Sequence, residues 1–238
     1  MNEVKDIFGF AFKDFLNGNV NGKFSVSTDI AGIEELPVMY FFRGEDELPE
    51  WEKKAMEMCK GRVLDVGAGA GSHALILQNK GFDVTAIDIS PGAVEIMKQR
   101  GVINAVCKDF FDYNDEKKFD TIAFIMNGIG VAETLDGLKK TFDHCSRLLK
   151  PGGQIILESS DLLYLYEQDD GSYLIDLAGK YYGEIEYTLA YNNFSGNPFK
   201  WLFVDFENMA DAAKACGFIP EMIFEGDNHN YLARLKKV

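Results

Sequence analysis

Residues 63–72 read Val-Leu-Asp-Val-Gly-Ala-Gly-Ala-Gly-Ser: an apolar run, an acid inside it, then three glycines at alternate positions. The run has the composition of a buried strand, and the glycines form the loop that leaves it. Ser72 to Lys80 follows as a helix, stopped by Gly81 just past a last-turn lysine. Glycines at such a turn permit backbone angles closed to other residues and let a ligand lie against bare main chain. The helix beyond presents free N–H groups.

Working outward, the same rhythm repeats. Phe82 to Asp88 is a second strand, and Ser90-Pro91 caps and opens a helix that ends at Arg100-Gly101. Ile103 to Cys107 and Phe119 to Met126 are the third and fourth strands. A helix from about Thr134 to Leu149 carries Leu135, Leu138, Phe142, Cys145 and Leu148 at helical spacing, and Pro151-Gly152-Gly153 turns the chain into a fifth strand, Gln154 to Ser160. Strands that are continuously apolar, alternate with helices and have short connections predict a mostly parallel, doubly wound sheet with helices on both faces, an α/β fold. Residues 1–48 are expected to be a helical, aromatic-rich extension, with a helix opening at Pro49 and running to Cys59. Residues 49–160 are the ligand-binding core. Residues 161–238 form an insertion and final strands, with hairpin signals at 195–198 and at Gly226-Asp227-Asn228. The chain is read as one domain over 1–238.

The glycine loop could serve either of two nucleotide cofactors. The dinucleotide pattern G-x-G-x-x-G/A has its third glycine position at Ser72, an imperfect match, whereas the pattern here is D-x-G-x-G-x-G. Asp65 suits a ligand with a cationic amino group and is a poor neighbour for a pyrophosphate. S-adenosylmethionine has an ammonium and a sulfonium and no phosphate. Asp88, with Ile89 beside it, lies 17 residues past Gly71, and a carboxylate near ~20 residues on accepts ribose hydroxyls in either cofactor. Asp109-Phe110, after the third strand, pairs an acid that can read an adenine amino group with a ring that can stack on it. Asn127 follows the fourth strand. All of these lie at the carboxyl ends of parallel strands, where open α/β sheets bind ligands.

Taken together, LDVGAGAG, TAIDIS, DFF and LLKPGG ahead of the fifth strand resemble the class I S-adenosylmethionine-dependent methyltransferases over about residues 50–160. The resemblance implies a seven-stranded sheet whose last strand is antiparallel. It also implies S-adenosylmethionine as cofactor, its methionine end held by Asp65 with Gly67, Ala68, Gly69 and Gly71. Asp88 and Ile89 would hold the ribose, and Asp109-Phe110 the adenine. The alternatives are a NAD-dependent oxidoreductase, which Asp65 and Ser72 disfavour, an aminopropyl transferase of the same fold, and a non-catalytic cofactor-binding module.

The acceptor is less legible. A net charge of −14 with no lysine–arginine cluster repels phosphate backbones, so nucleic acid is not the expected partner. The chain lacks N-P-P-[YF] after the fourth strand, reading Asn127-Gly128-Ile129-Gly130 instead, and it lacks a Pro-Cys pair. Both point away from amide, adenine and cytosine acceptors and toward a small molecule. Asp161 and Tyr164, just past the fifth strand, are the expected base or acceptor contacts, chosen on position. His73, His144 and His229 read as packing, capping or turn residues, and no spacing suggests a metal site. Tyr40-Phe41-Phe42-Arg43 and the later tyrosines are core and cap packing or the walls of an acceptor pocket, and residues 1–45 are a candidate lid. Four scattered cysteines and the lack of a leader or a membrane-length apolar run predict a cytoplasmic protein, monomeric or homodimeric, away from membranes.

Overall fold

The computed structural model describes residues 2–3 (backbone only), 6–176, 178–227 and 229–238, so Asn228 of the expected last hairpin lies outside the described residues. In chain order the elements are β1 Asn2–Glu3, α1 Ile7–Leu16, β2 Lys23–Thr28, β3 Glu34–Pro37, α2 Glu50–Met58, β4 Arg62–Val66, α3 Ser72–Asn79, β5 Asp83–Asp88, α4 Pro91–Arg100, β6 Ala105–Cys107, β7 Phe119–Phe124, α5 Leu135–Leu148, β8 Leu149–Ser160, β9 Glu184–Tyr191, β10 Phe194–Ser195, β11 Phe199–Leu202, α6 Phe206–Ala215, β12 Phe218–Glu225 and β13 Asn230–Lys237. Short 3-10 turns at Val38–Phe42, Phe110–Asp112, Gly128–Ala132 and Leu163–Tyr166 connect several of them.

Seven strands form the main sheet in the order β12-β13-β8-β7-β4-β5-β6. β8, β7, β4, β5 and β6 run parallel, and the last strand, β13, is antiparallel to both neighbours, as the resemblance implied. One face buries Phe142 and Leu138 of α5 and Met209 of α6, and the other buries Met56 of α2, Leu77 of α3 and Met97 of α4. Coverage on both faces is why the strands lack alternation. The helix starts follow local chemistry: Ser90, Thr134 and Asp205 each accept an N–H of their own first turn, at 2.9, 3.0 and 2.9 Å. No helix of the described residues is long and apolar enough to cross a membrane.

The N-terminal segment departs from the helical expectation over residues 23–37, which fold as the β2–β3 hairpin. β2 pairs with β9 of the late insertion, so both ends of the chain contribute to a second, six-stranded sheet, β1-β10-β9-β2-β3 with β11 on β9. Its apolar side, with Phe24, Leu189 and Tyr191, closes on Phe12 of α1 and Ile96 of α4.

Helix α1 sits on α4 at backbone contact. A Cβ on Gly9 would fall 2.6 Å from Gly92 Cα and 2.5 Å from Asp6 Oδ2. Asp6 fastens the junction, accepting from Gly9 N, Ser90 Oγ and Gly92 N at 2.9, 2.6 and 2.8 Å. Gly9→Ala must push the helices apart, and such overpacking costs about 1–2 kcal/mol. The expected result is a thermal midpoint lowered by several degrees. An unchanged midpoint would show that the contact is slack.

Candidate functional site

β4 delivers Asp65 to the carboxyl edge of the sheet, and the chain then turns through Gly67, Gly69 and Gly71, all with positive φ (69°, 55° and 84°). Gly67 N and Ala68 N both donate to Ile87 O at 3.0 Å, which locks the loop against β5. The three glycines differ in what they face. A side chain on Gly71 would strike Met97 at 2.8 Å, so that glycine seats α3 on its neighbours. Gly67 faces open space, the position where a ligand can lie on main chain.

Asp88 ends β5. Its Oδ2 accepts Gly69 N and its Oδ1 accepts Ser90 N, both at 2.8 Å. Desolvation, with repulsion from Asp6 and Asp65, outweighs these bonds and raises its carboxyl to about 6. Ile89 beside it is exposed. At the end of β6, Asp109 Oδ1 caps the following turn through Phe111 N at 2.8 Å. Phe110 is buried, edge-on to Phe124 and His144, so its ring is committed to the core. The exposed ring at this edge is its neighbour Phe111.

Asp65 is buried, and its Oδ2 has no hydrogen-bond partner. Burial raises its carboxyl, against the pull of His73 and the Ala74 N–H. Next to it runs a buried chain of charge. Arg43 Nη2 donates to Glu52 Oε1 and Oε2 at 2.8 and 3.0 Å, and His73 Nε2 lies 2.7 Å from Glu52 Oε2. Burial alone would raise Glu52, but the contacts with His73 and Arg43 bring it below the usual carboxylate value. Burial would lower His73, but Glu52 and Asp65 raise it.

Met126 and Asn127 follow β7 with φ of 53° and 54°, two successive left-handed residues held by their surroundings. Asn127 N donates to Glu158 Oε1 at 3.1 Å, its Oδ1 accepts Ser159 Oγ at 2.8 Å, and its Nδ2 donates to Leu202 O at 3.1 Å. Trp201 Nε1 donates to its carbonyl at 3.1 Å. This edge opens on a cavity of about 670 Å³ walled by Tyr40, Trp51, Met126, Asn127, Glu158 and Asn230. Glu158 is 7% exposed, and its Oε2 has no partner. Burial, then repulsion from Glu52, pushes it up to about 7, although His73 and the N–H groups of Asn127 and Met126 favour its charged form.

Asp161 follows the carboxyl end of β8, and Tyr164 lies in the turn after it. Asp161 Oδ1 accepts Leu163 N and Tyr182 Oη, each at 2.8 Å, and lines a second cavity of about 530 Å³ with Asp205, His229 and Tyr231. Tyr164 stacks on His229 at 4.9 Å with its face partly exposed. Asp65, Gly67, Gly69, Asp88, Asp109 and Asn127 thus share the carboxyl edge of the parallel strands, and Asp161 stands on that edge after β8, where it lines the second cavity. Glu52 and Glu158 escaped the sequence reading, although an acid in the apolar run Ile155-Ile156-Leu157-Glu158 was a visible signal. The aromatic turn before α2 is tied to the loop region: Ser72 Oγ donates to Phe41 O at 2.8 Å, and Arg100 donates to Ala70 O at 2.6 Å and to Phe42 O at 3.4 Å.

Comparison with known proteins gives the following. The family profile described as a methyltransferase domain matches residues 63–153. A ubiquinone biosynthesis O-methyltransferase of Xanthomonas oryzae is 30% identical over 110 residues, 44% of this chain and 45% of that protein. An uncharacterized methyltransferase of Staphylococcus carnosus is 28% identical over 180 residues, 75% of this chain and 79% of that one. The chain spans about half the length of the first curated relatives it matches. Among solved structures, a SAM-dependent methyltransferase from Bacteroides fragilis, crystallised with S-adenosyl-L-homocysteine, is 42% identical and superposes with a TM-score of 0.91. The match covers 98% of this chain and 96% of that one.

Proposed function

Because this chain belongs to the S-adenosylmethionine-dependent methyltransferases, we propose that its acceptor is a small molecule held in the cavity beside Met126 and Asn127. The cavity carries this reading: about 670 Å³ lies in the range of small-ligand sites, roughly 300–1,000 Å³. The acidic surface, at −14, disfavours a nucleic-acid acceptor. The four free thiols favour a reducing compartment, the cytoplasm.

The residues of the sheet edge fit the cofactor. The unpartnered buried oxygen of Asp65 matches an ammonium nearby. The open main chain at Gly67 admits a close approach, and the Asp88 carboxylate has lone pairs left for a pair of hydroxyls. Ile89 and Phe111, both exposed at adjacent strand ends, can flank a flat base. The cofactor, when bound, supplies an electrophilic methyl carbon whose bond to sulfur breaks with the electron pair left on sulfur. The protein holds the acceptor in line and excludes water, a contribution that reaches about 7–11 kcal/mol.

Calorimetric titration of S-adenosylhomocysteine and NAD, into the protein and into an Asp88→Ala variant, tests this assignment. S-adenosylhomocysteine is expected to bind the parent and lose at least tenfold in affinity in the variant, about 1.4 kcal/mol, while NAD binds neither. An unaltered affinity in Asp88→Ala would remove that residue from the ribose site. Binding of NAD alone would overturn the functional reading.

A further inference from the structure

We infer that the acceptor is an amine, and that Glu158 is the group that receives its ammonium and takes its proton. This inference rests on the methyltransferase reading and names the acceptor class of the same site. It starts from the two buried side-chain atoms of the cavity wall that lack partners, Glu158 Oε2 and Asn230 Nδ2. Buried polar atoms are normally paired, so a wall missing two partners is built for something that brings them. Glu158 and Asn230 stand diagonally on neighbouring antiparallel strands, since Leu232 pairs with Glu158 and Asn230 with Ser160. They therefore share one face of the sheet, within the span of one small molecule.

Charge decides what the molecule carries. Among the described residues the wall has three acids, Glu47, Glu52 and Glu158, and one cation, Arg43. Arg43 is engaged by Glu52 through both carboxylate oxygens. Among the described wall residues no cation is left free to receive a carboxylate or phosphate, since Arg43 also lies over the Tyr40 ring, whereas an ammonium would meet Glu158 and the ring of Trp51. The groups facing Glu158 are Glu52 from α2, His73 from α3 and the N–H groups of Met126 and Asn127 at the end of β7.

The proton step balances simply. The ammonium N–H bond breaks, its electron pair stays on nitrogen, and the proton goes to Glu158 Oε2. The free pair is then the nucleophile, and methylation restores the positive charge to nitrogen. A carboxyl raised to about 7 comes within a few units of an alkylammonium, near the lysine value of about 10.4. It is far too weak a base for a hydroxyl as feebly acidic as water, at about 15.7.

The test needs no turnover. The parent protein, saturated with S-adenosylhomocysteine, is titrated with benzylamine and with benzyl alcohol between pH 6 and 8.5, alongside Glu158→Gln. Benzylamine is expected to bind at least tenfold tighter than benzyl alcohol at pH 8, and that preference should fade as the pH drops below about 7. In Glu158→Gln the preference should vanish at every pH, with S-adenosylhomocysteine affinity kept within twofold. Equal affinities, no benzylamine binding, or a preference that survives in Glu158→Gln would each overturn the inference. A fall in S-adenosylhomocysteine affinity in that variant would do the same, by moving Glu158 to the cofactor. Failure of the parent to bind S-adenosylhomocysteine would instead strike at the methyltransferase reading beneath it.

Discussion

Glu52→Ala is expected to cost the fold about 3–5 kcal/mol, read as a shift in the urea midpoint. Glu52 is 4% exposed and holds Arg43 and His73 at once. Removing the shared carboxylate strands the buried His73 and the half-buried Arg43 guanidinium, and breaking such a pair from one side costs far more than the pair itself contributes. Exposed bridges such as Lys214–Asp211 offer no comparable loss. The pH dependence has a definite sign. Glu52 is lowered in the fold, so its contribution is present above the ordinary carboxylate range and lost as the pH falls through its folded value. His73 is raised, so its contribution is complete below about 6.5 and lost as the pH rises through its folded value. The difference between parent and variant should be widest between these limits, near pH 5–6, and narrow on either side. A loss under 1 kcal/mol across that window would show that Arg43 and His73 find water or other partners without Glu52.

The same network shows where sequence reading runs out. The glycine loop, the order of strands and helices in the core and the cap at Ser90 are written in residues adjacent along the chain, and they were legible. The β2–β3 hairpin was not. Lys23–Thr28 is a six-residue run stabilised by β9, more than 150 residues later, and no local pattern announces that partner. At Phe110-Phe111 the sequence offers two rings in a row, and only the packing decides that the first is core and the second exposed. Asp161 and Tyr164 were chosen because they follow the fifth strand. Glu158, inside that strand, is one of the acids on the cavity wall, and what distinguishes it is an unpaired oxygen, a property of three-dimensional surroundings rather than of sequence.

That unpaired oxygen predicts a gain as well as a loss: Glu158→Gln should stabilise the ligand-free protein by about 2–3 kcal/mol at pH 8.5. Below about pH 4.5 parent and variant should be equally stable, since the carboxyl is then neutral folded and unfolded alike. As the pH rises, the unfolded chain releases the Glu158 proton near its ordinary 4.5, whereas the fold keeps it until about 7. Over that interval the folded parent binds the extra proton, so its stability falls with increasing pH, by about 1.4 kcal/mol for each unit. The interval sets a ceiling of about 3.5 kcal/mol. Above about 7 the deficit is constant, because both states are ionised. Glutamine keeps the shape and an oxygen for the Asn127 N–H, and it has no proton to lose. Urea unfolding of both proteins from pH 4 to 8.5 measures the difference directly. A flat difference would mean that Glu158 is already solvated or paired at neutral pH. A difference that opens between pH 4.5 and 7 would identify a carboxylate whose ionised form destabilises the empty fold, the energetic signature expected of a group kept for a ligand rather than for packing.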